Sequence, residues 1–194
     1  MIACGVSACT LGADHTNDHG GRMTVLAEIT ALLGEPRFHW SDPEPWRALE
    51  AELGVRFPAD YRAFVDAYGP VLVNDQLWFG HPGAQHGDLG RAIKADIEAW
   101  ADVPEELAPP HPVGSAPGEL LPWGSGSSGE TVFFRIPATE GGDWRVGVVE
   151  HDEGTYEEHD MTFGAWMLAY LQGRDVTVCS RNFAPDGPFY RSIG

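Results

Sequence analysis

Basic residues are what this chain has least of: 12 Lys and Arg stand against 29 Asp and Glu in 194 residues, and Lys94 is the sole lysine. The formal net charge of −17 disfavours DNA, RNA and anionic membranes as direct partners, because a polyanion is repelled at long range. A basic protein would instead be attracted and steered, although the same charge also serves solubility. Cysteine is nearly as scarce. Cys4, Cys9 and Cys179 form an odd set that cannot pair fully, which fits a reducing cytoplasm. No Lys or Arg precedes Arg22, so the mildly apolar residues 1–11 lack the basic start of a secretory signal. No stretch reaches the roughly 20 apolar residues required to cross a bilayer. The expectation is a soluble cytoplasmic protein.

The chain does hold enough apolar material, 43%, for a core in one domain of this length. Residues 1–22, rich in Gly, Asp, His and Thr, read as a disordered tail or as a start codon placed too far upstream, which leaves 23–194 as a single domain. A helix is predicted over 23–33, with Leu26, Ile29, Leu32 and Leu33 inward and Gly34 as its stop. Ser41 and Asp42 followed by Pro43 and Pro45 suit the start of another, since a first-turn proline loses no needed hydrogen bond. On it Trp46, Leu49 and Leu53 share a face, and Gly54 closes it. Pro58 opens a third, with Tyr61, Phe64, Val65 and Tyr68 on one stripe before Gly69. Two apolar stripes joined by so short a linker face one another.

Further on, 71–79 predicts strand with a turn at Asn74 and Asp75, and 89–100 a helix carrying Leu89, Ile93, Ile97 and Trp100 on one side. The Pro-rich 104–118 reads as a loop, and strands are expected at 119–123, 131–136, 144–151 and 156–160. An edge strand is expected around 176–178. Helices, then a meander, then a helix give an α+β class: an antiparallel β-sheet meander with helices packed mainly on one side.

Certain residues recur in a telling order: Trp46, Glu50, Leu53 and Gly54, then Phe57-Pro58 leading to Tyr61, then Tyr68-Gly69. Leu120-Leu121-Pro122-Trp123-Gly124 follows, with Gly129 and an apolar strand, and Thr162-Phe163-Gly164 with Trp166 leads to Leu171. This order resembles the SUKH superfamily, which includes the Smi/Knr-type fungal cell-wall regulators and many bacterial toxin-immunity proteins. The resemblance spans residues 42–173 and rests on packing residues, so their sequence of appearance carries it. Loop 104–118 is the clearest departure. The resemblance implies a SUKH-like fold, a role in binding rather than catalysis, and a gene lying beside that of a toxin. Abundant Ala, Gly and Arg with one Lys fits a GC-rich bacterial genome.

Three lookalikes carry little chemistry. Gly124, Gly126 and Gly129 spell G-x-G-x-x-G, but a strand follows, whereas a bound phosphate requires a helix N-terminus. Ser128 lacks the second glycine of a nucleophile elbow, since Glu130 stands in its place. Cys4, Cys9, His15 and His19 offer zinc-type ligands at spacings too short for a finger. The residues His151-Asp152-Glu153 and Glu157-Glu158-His159-Asp160 flank a turn and suit either a cation or, more simply, a charged edge that deters strand pairing. His39, His81, His86 and His111 show no ligand spacing. No catalytic residue, metal or cofactor is assigned.

The acidic hairpin has a different value as a surface. Between Glu140 and Asp160 eight acids face a single base, Arg145, for a local charge of −7. The candidate partner-binding residues are Asp75, Trp78, Trp144, Asp152, Glu153, Tyr156, Glu157 and Glu158, with the aromatics as anchors. The leading functional expectation is a non-enzymatic immunity protein that binds a basic toxin domain through an acidic face. The alternatives are a housekeeping scaffold or regulatory protein with several partners, and a small metal-dependent hydrolase built on the hairpin.

Overall fold

The computed structural model of the chain describes residues 24–150, 154–177 and 184–193. Thr24 caps α1 (Val25–Leu33), its hydroxyl accepting from the Ala27 N–H at 3.3 Å. Ile29 and Leu33 are buried and Leu26 packs beside them, but Leu32, expected inward, is exposed. The contact stripe of this short helix runs through 26, 29 and 33 and leaves 32 on its flank. At α2 (Glu44–Leu53) the Asp42 carboxylate accepts from the Glu44 N–H at 2.9 Å, answering one of the free first-turn amides. Gly54 ends α2 in the left-handed conformation at φ 72°. Helix α3 (Ala59–Tyr68) follows Pro58 and stops at Gly69, which is extended. Glycine is required there by proximity: a Cβ would stand 3.0 Å from the Val65 carbonyl oxygen and 3.1 Å from that of Gly80.

Strands β1 (Val71–Val73) and β2 (Leu77–Phe79) form the predicted hairpin, with Asn74 and Asp75 at φ 53° and 55°, a conformation these short polar side chains tolerate. Then come α4 (Leu89–Ala101), a single 3-10 turn at Glu105–Leu107 within the expected loop, and strands β3 (Leu120–Gly126), β4 (Glu130–Arg135), β5 (Arg145–Glu150) and β6 (Tyr156–His159). Helix α5 (Phe163–Leu171) and β7 (Tyr190–Ser192) complete the order. All seven strands among the described residues join one antiparallel sheet, β6-β5-β4-β3-β2-β1-β7. Pro122, which cannot donate to a ladder, is accommodated within β3 by a register shift between Pro122 and Gly124. The G-x-G-x-x-G run spans the end of β3 and the β3–β4 turn, with Gly129 at φ 90°. The edge strand expected near 176–178 is corrected: Val176 is buried outside any strand, its carbonyl accepting from the Trp166 indole N–H at 3.1 Å, while Val178 lies outside the described residues. That carbonyl is answered by an indole rather than by a ladder partner, and the strand beside β1 is β7.

Alternation along the strands sends side chains to two cores. One face of the sheet carries Leu121, Trp123, Val132, Phe134, Val146 and Val148 against α1, α2, α3 and α5. Tyr61 is central to it, with its ring 5.1–5.3 Å from Trp123, Phe134 and Phe163. Such aromatic pairs add roughly 0.5–1.5 kcal/mol each beyond burial. The other face carries Leu120, Phe133 and Val149 under Trp100, with Val103, Val113 and Tyr156 beside them. Helix α4 therefore serves both cores, since Leu89 and Ile93 at its start belong to the first.

His81 is locked into the first layer. Its ring is fully buried, stacks on Trp40 at 4.0 Å and meets Trp46 edge-on at 6.0 Å. Nδ1 accepts from the Gly83 N–H at 2.9 Å, so the proton sits on Nε2, which faces Asp66 Oδ1 at 3.2 Å. The same Asp66 oxygen accepts from the Trp46 indole N–H at 2.6 Å. This cluster pins loop 80–88 to α2 and α3.

Candidate functional site

Strand direction divides the expected site between two ends of the sheet. The β1–β2 turn at Asn74 and Asp75, the β3–β4 turn, and the end of the β5–β6 hairpin where Glu150 N–H bonds the Thr155 carbonyl lie at one end. The β4–β5 connection, residues 136–144, lies at the other together with residues 160–162. A six-residue strand such as β5 separates these ends by about 17 Å. Asp75 and Trp78 are in addition four strands from β6, about 19 Å at ordinary strand spacing. Asp75 is exposed and pairs with Arg191 at 2.8 Å. Trp78 is half-buried, with its ring against Gly80. Neither shares a surface patch with Trp144. Asp152 and Glu153, like His151 and the four residues of the zinc-like set, lie outside the described residues.

On the hairpin, the linear charge count gives way to cross-strand pairing. Arg135 and Arg145 stand opposite one another on β4 and β5, and Gly147 opposes Glu158 on the same face. Glu158 lies 3.0 Å from Arg145 and 3.9 Å from Arg135, and accepts from the Tyr156 hydroxyl at 2.8 Å. Partial burial alone would raise its pKa. The hydrogen bonds from Arg145 and Tyr156, with the charges of Arg145 and Arg135, outweigh it and hold the carboxyl below its ordinary value. Tyr156 is pushed up, first by burial and then by Glu158. Its ring lies over Gly147, where a Cβ would stand 2.7 Å from the phenol oxygen. It thus fills the gap left by a residue with no side chain. Glu157 remains exposed, with His159 Nδ1 at 4.0 Å as its only charged neighbour among the described residues. Of the hairpin acids singled out, Glu158 is internally neutralised and Glu157 is open to a partner.

The opposite end is concave. Trp144 is half-buried, its ring 5.5 Å from Phe134 in an edge-to-face contact. It forms the wall between two concavities. One, of ≈ 530 Å³, lies between the α2–α3 turn and the β4–β5 loop and includes Val55, Arg56, Pro117, Ile136 and Ala138. The other, of ≈ 440 Å³, is bounded by Asp60, Asp143, Asp160, Met161, Thr162 and Phe163. Asp60 is held by the Tyr61 N–H at 2.9 Å and the Gly164 N–H at 2.8 Å, so it answers a first-turn amide of both α3 and α5. Asp160 pairs with Arg145 at 3.3 Å. Asp143 is exposed and makes no hydrogen bond or ion pair among the described residues. A third hollow of ≈ 410 Å³, on the outer side of the loop, holds His111, Arg135, Arg145 and Glu158.

Trp144 was legible in the sequence as a possible anchor. Asp60 and Asp143 were not singled out, and Asp160 was named only in the charged run flanking the hairpin turn. Asp143 enters only through the local charge, and Asp60 reaches the site from a helix start distant in sequence. No group of three or more His, Cys, Asp or Glu among the described residues is placed to hold a metal ion. No described helix is long and apolar enough to cross a membrane.

Comparison with known proteins bears on the frame that presents these surfaces. A search of curated proteins finds no match. The SUKH_6 family model, described as SMI1-KNR4 cell-wall, matches residues 43–167. That span runs from the start of α2 into α5 and covers more than half of the 194 residues, including Trp46, Tyr61, Trp123 and Phe163 of the aromatic core. The protein belongs to the SMI1-KNR4 family of the SUKH superfamily.

Proposed function

We propose that this chain is a non-enzymatic protein-binding domain that acts in the cytoplasm as an immunity protein, neutralising a cognate basic toxin by covering its active face. Family membership supports a binding role of this kind. The observation that carries the reading is the Trp144 end of the sheet, where a half-exposed aromatic separates a concavity of mixed lining, Pro117 and Ile136 with Arg56 and Glu140, from an acidic one in a chain of net charge −17. A few such anchors, rather than charge in general, supply affinity, while charge accelerates encounter with a basic partner. Co-expression with the product of an adjacent toxin gene should restore growth, and calorimetry should give a one-to-one complex. A toxin product that still kills and does not bind would retire the reading.

A further inference from the structure

We propose that the two concavities beside Trp144 form a single docking site for a partner segment that presents an apolar side chain next to an arginine or lysine. This rests on the protein-binding reading above and assigns the chemistry of the partner. The larger concavity has Pro117 and the side of Trp144 on its wall over the buried Val55 and Ile136, with Arg56 and Glu140 at its polar margin. The smaller has three carboxylates on its walls and no basic side chain among them.

The carboxylates differ in what they leave unanswered. Asp60 is matched by the amides at the starts of α3 and α5, and Asp160 by Arg145. Asp143, adjacent to Trp144, makes no hydrogen bond or ion pair among the described residues and meets only the longer-range charge of Arg145. A guanidinium or ammonium placed there gains a carboxylate partner and the face of an indole. An acidic side chain would meet uncompensated repulsion. A second copy of the chain is a poor occupant, since it carries the same −17. The separation of functions by one aromatic wall makes the site selective for order as well as composition, because the apolar and cationic groups must be neighbours.

The test is an NMR titration of the full chain with N-acetyl-leucyl-arginine amide, following the Trp144 indole N–H and the amides of residues 142–144 and 161–163. Controls replace the arginine of the probe by glutamate or its leucine by glycine. The arginine probe is expected to shift these resonances and to bind roughly tenfold more tightly than the glutamate probe. The Asp143→Asn/Asp160→Asn variant, altered only at exposed positions, should lose that preference while keeping its folded spectrum. The glycine probe should bind more weakly than the leucine probe. Absence of shifts, equal binding of the acidic probe, or full preference in the double variant would each overturn the proposal. Growth rescue by the wild-type chain would then stand and place toxin contact elsewhere. Conversely, a responsive site without any rescue would refute immunity and leave the docking chemistry intact.

Discussion

Replacing His81 by alanine should destabilise the protein by about 3 kcal/mol, derived from ring contacts of about 2 kcal/mol and a lost backbone partner of about 1 kcal/mol. The ring stacks on Trp40, touches Trp46 edge-on, and is fully buried. Removing it also leaves the Gly83 N–H without the acceptor it has at 2.9 Å. Gly83 is exposed, so water can replace part of that bond, which keeps its share near the low end. Asp66 retains the Trp46 indole N–H at 2.6 Å, and its loss of His81 is buffered by solvent. A change of this size is a large fraction of the roughly 5–15 kcal/mol that holds a typical domain together. Urea unfolding followed by tryptophan fluorescence measures it. The informative companion is His81→Asn, whose carbonyl can accept from the N–H two residues on and should recover about 1 kcal/mol of the loss. If His81→Ala unfolds within about 1 kcal/mol of wild type, the ring does not pin the loop. If asparagine recovers nothing, the backbone bond is not the component assigned to it.

Glu158→Gln should remove a stabilising contribution with a defined pH window. Because the folded-state pKa is lowered from an ordinary value of 4.5, the contribution is present above that value and fades as pH falls through the folded pKa. Urea midpoints of wild type and variant should therefore differ at neutral pH and converge in acid; a constant gap would reject the ion-pair account. Gly80→Ala should cost about 2 kcal/mol or more through overpacking, because its Cβ would stand 2.7 Å from the Gly87 carbonyl and 3.0 Å from the Leu89 backbone. Thermal melting that stays unchanged would contradict this. Asp60→Ala should lower stability by about 1–2 kcal/mol, as expected for a lost helix cap. Asp60→Asn should lose less, because one amide oxygen still accepts, and denaturation of the two variants side by side checks the order.

Local punctuation made much of the frame readable. Pro58, Gly54 and Gly69 mark where α2 and α3 start and stop, and Asn74-Asp75 marks a hairpin because few other pairs tolerate positive φ. Strand β7 was not readable, since three residues, Tyr190–Ser192, become a strand only through pairing with β1. The same holds for Trp100, whose helical stripe looks continuous with Leu89 and Ile93 yet reaches the opposite face of the sheet. At the site, Trp144 stood out as an aromatic beside acids. The neutralisation of Glu158 did not, because one of its cations, Arg135, belongs to a different strand and falls outside the acidic run. Charge tallied along a chain cannot register partners that only a ladder brings together.

Having cover on both of its surfaces changes where this sheet can diversify. With Trp100, Val103 and Val113 lying over the side that α1, α2, α3 and α5 leave open, the interior is sealed by residues whose alteration would cost stability. Substitutions that leave stability intact are thereby confined to the rim, to connections such as residues 136–144. Exchange of that rim for another of equal length would alter the surface the molecule presents while leaving both buried layers as they are.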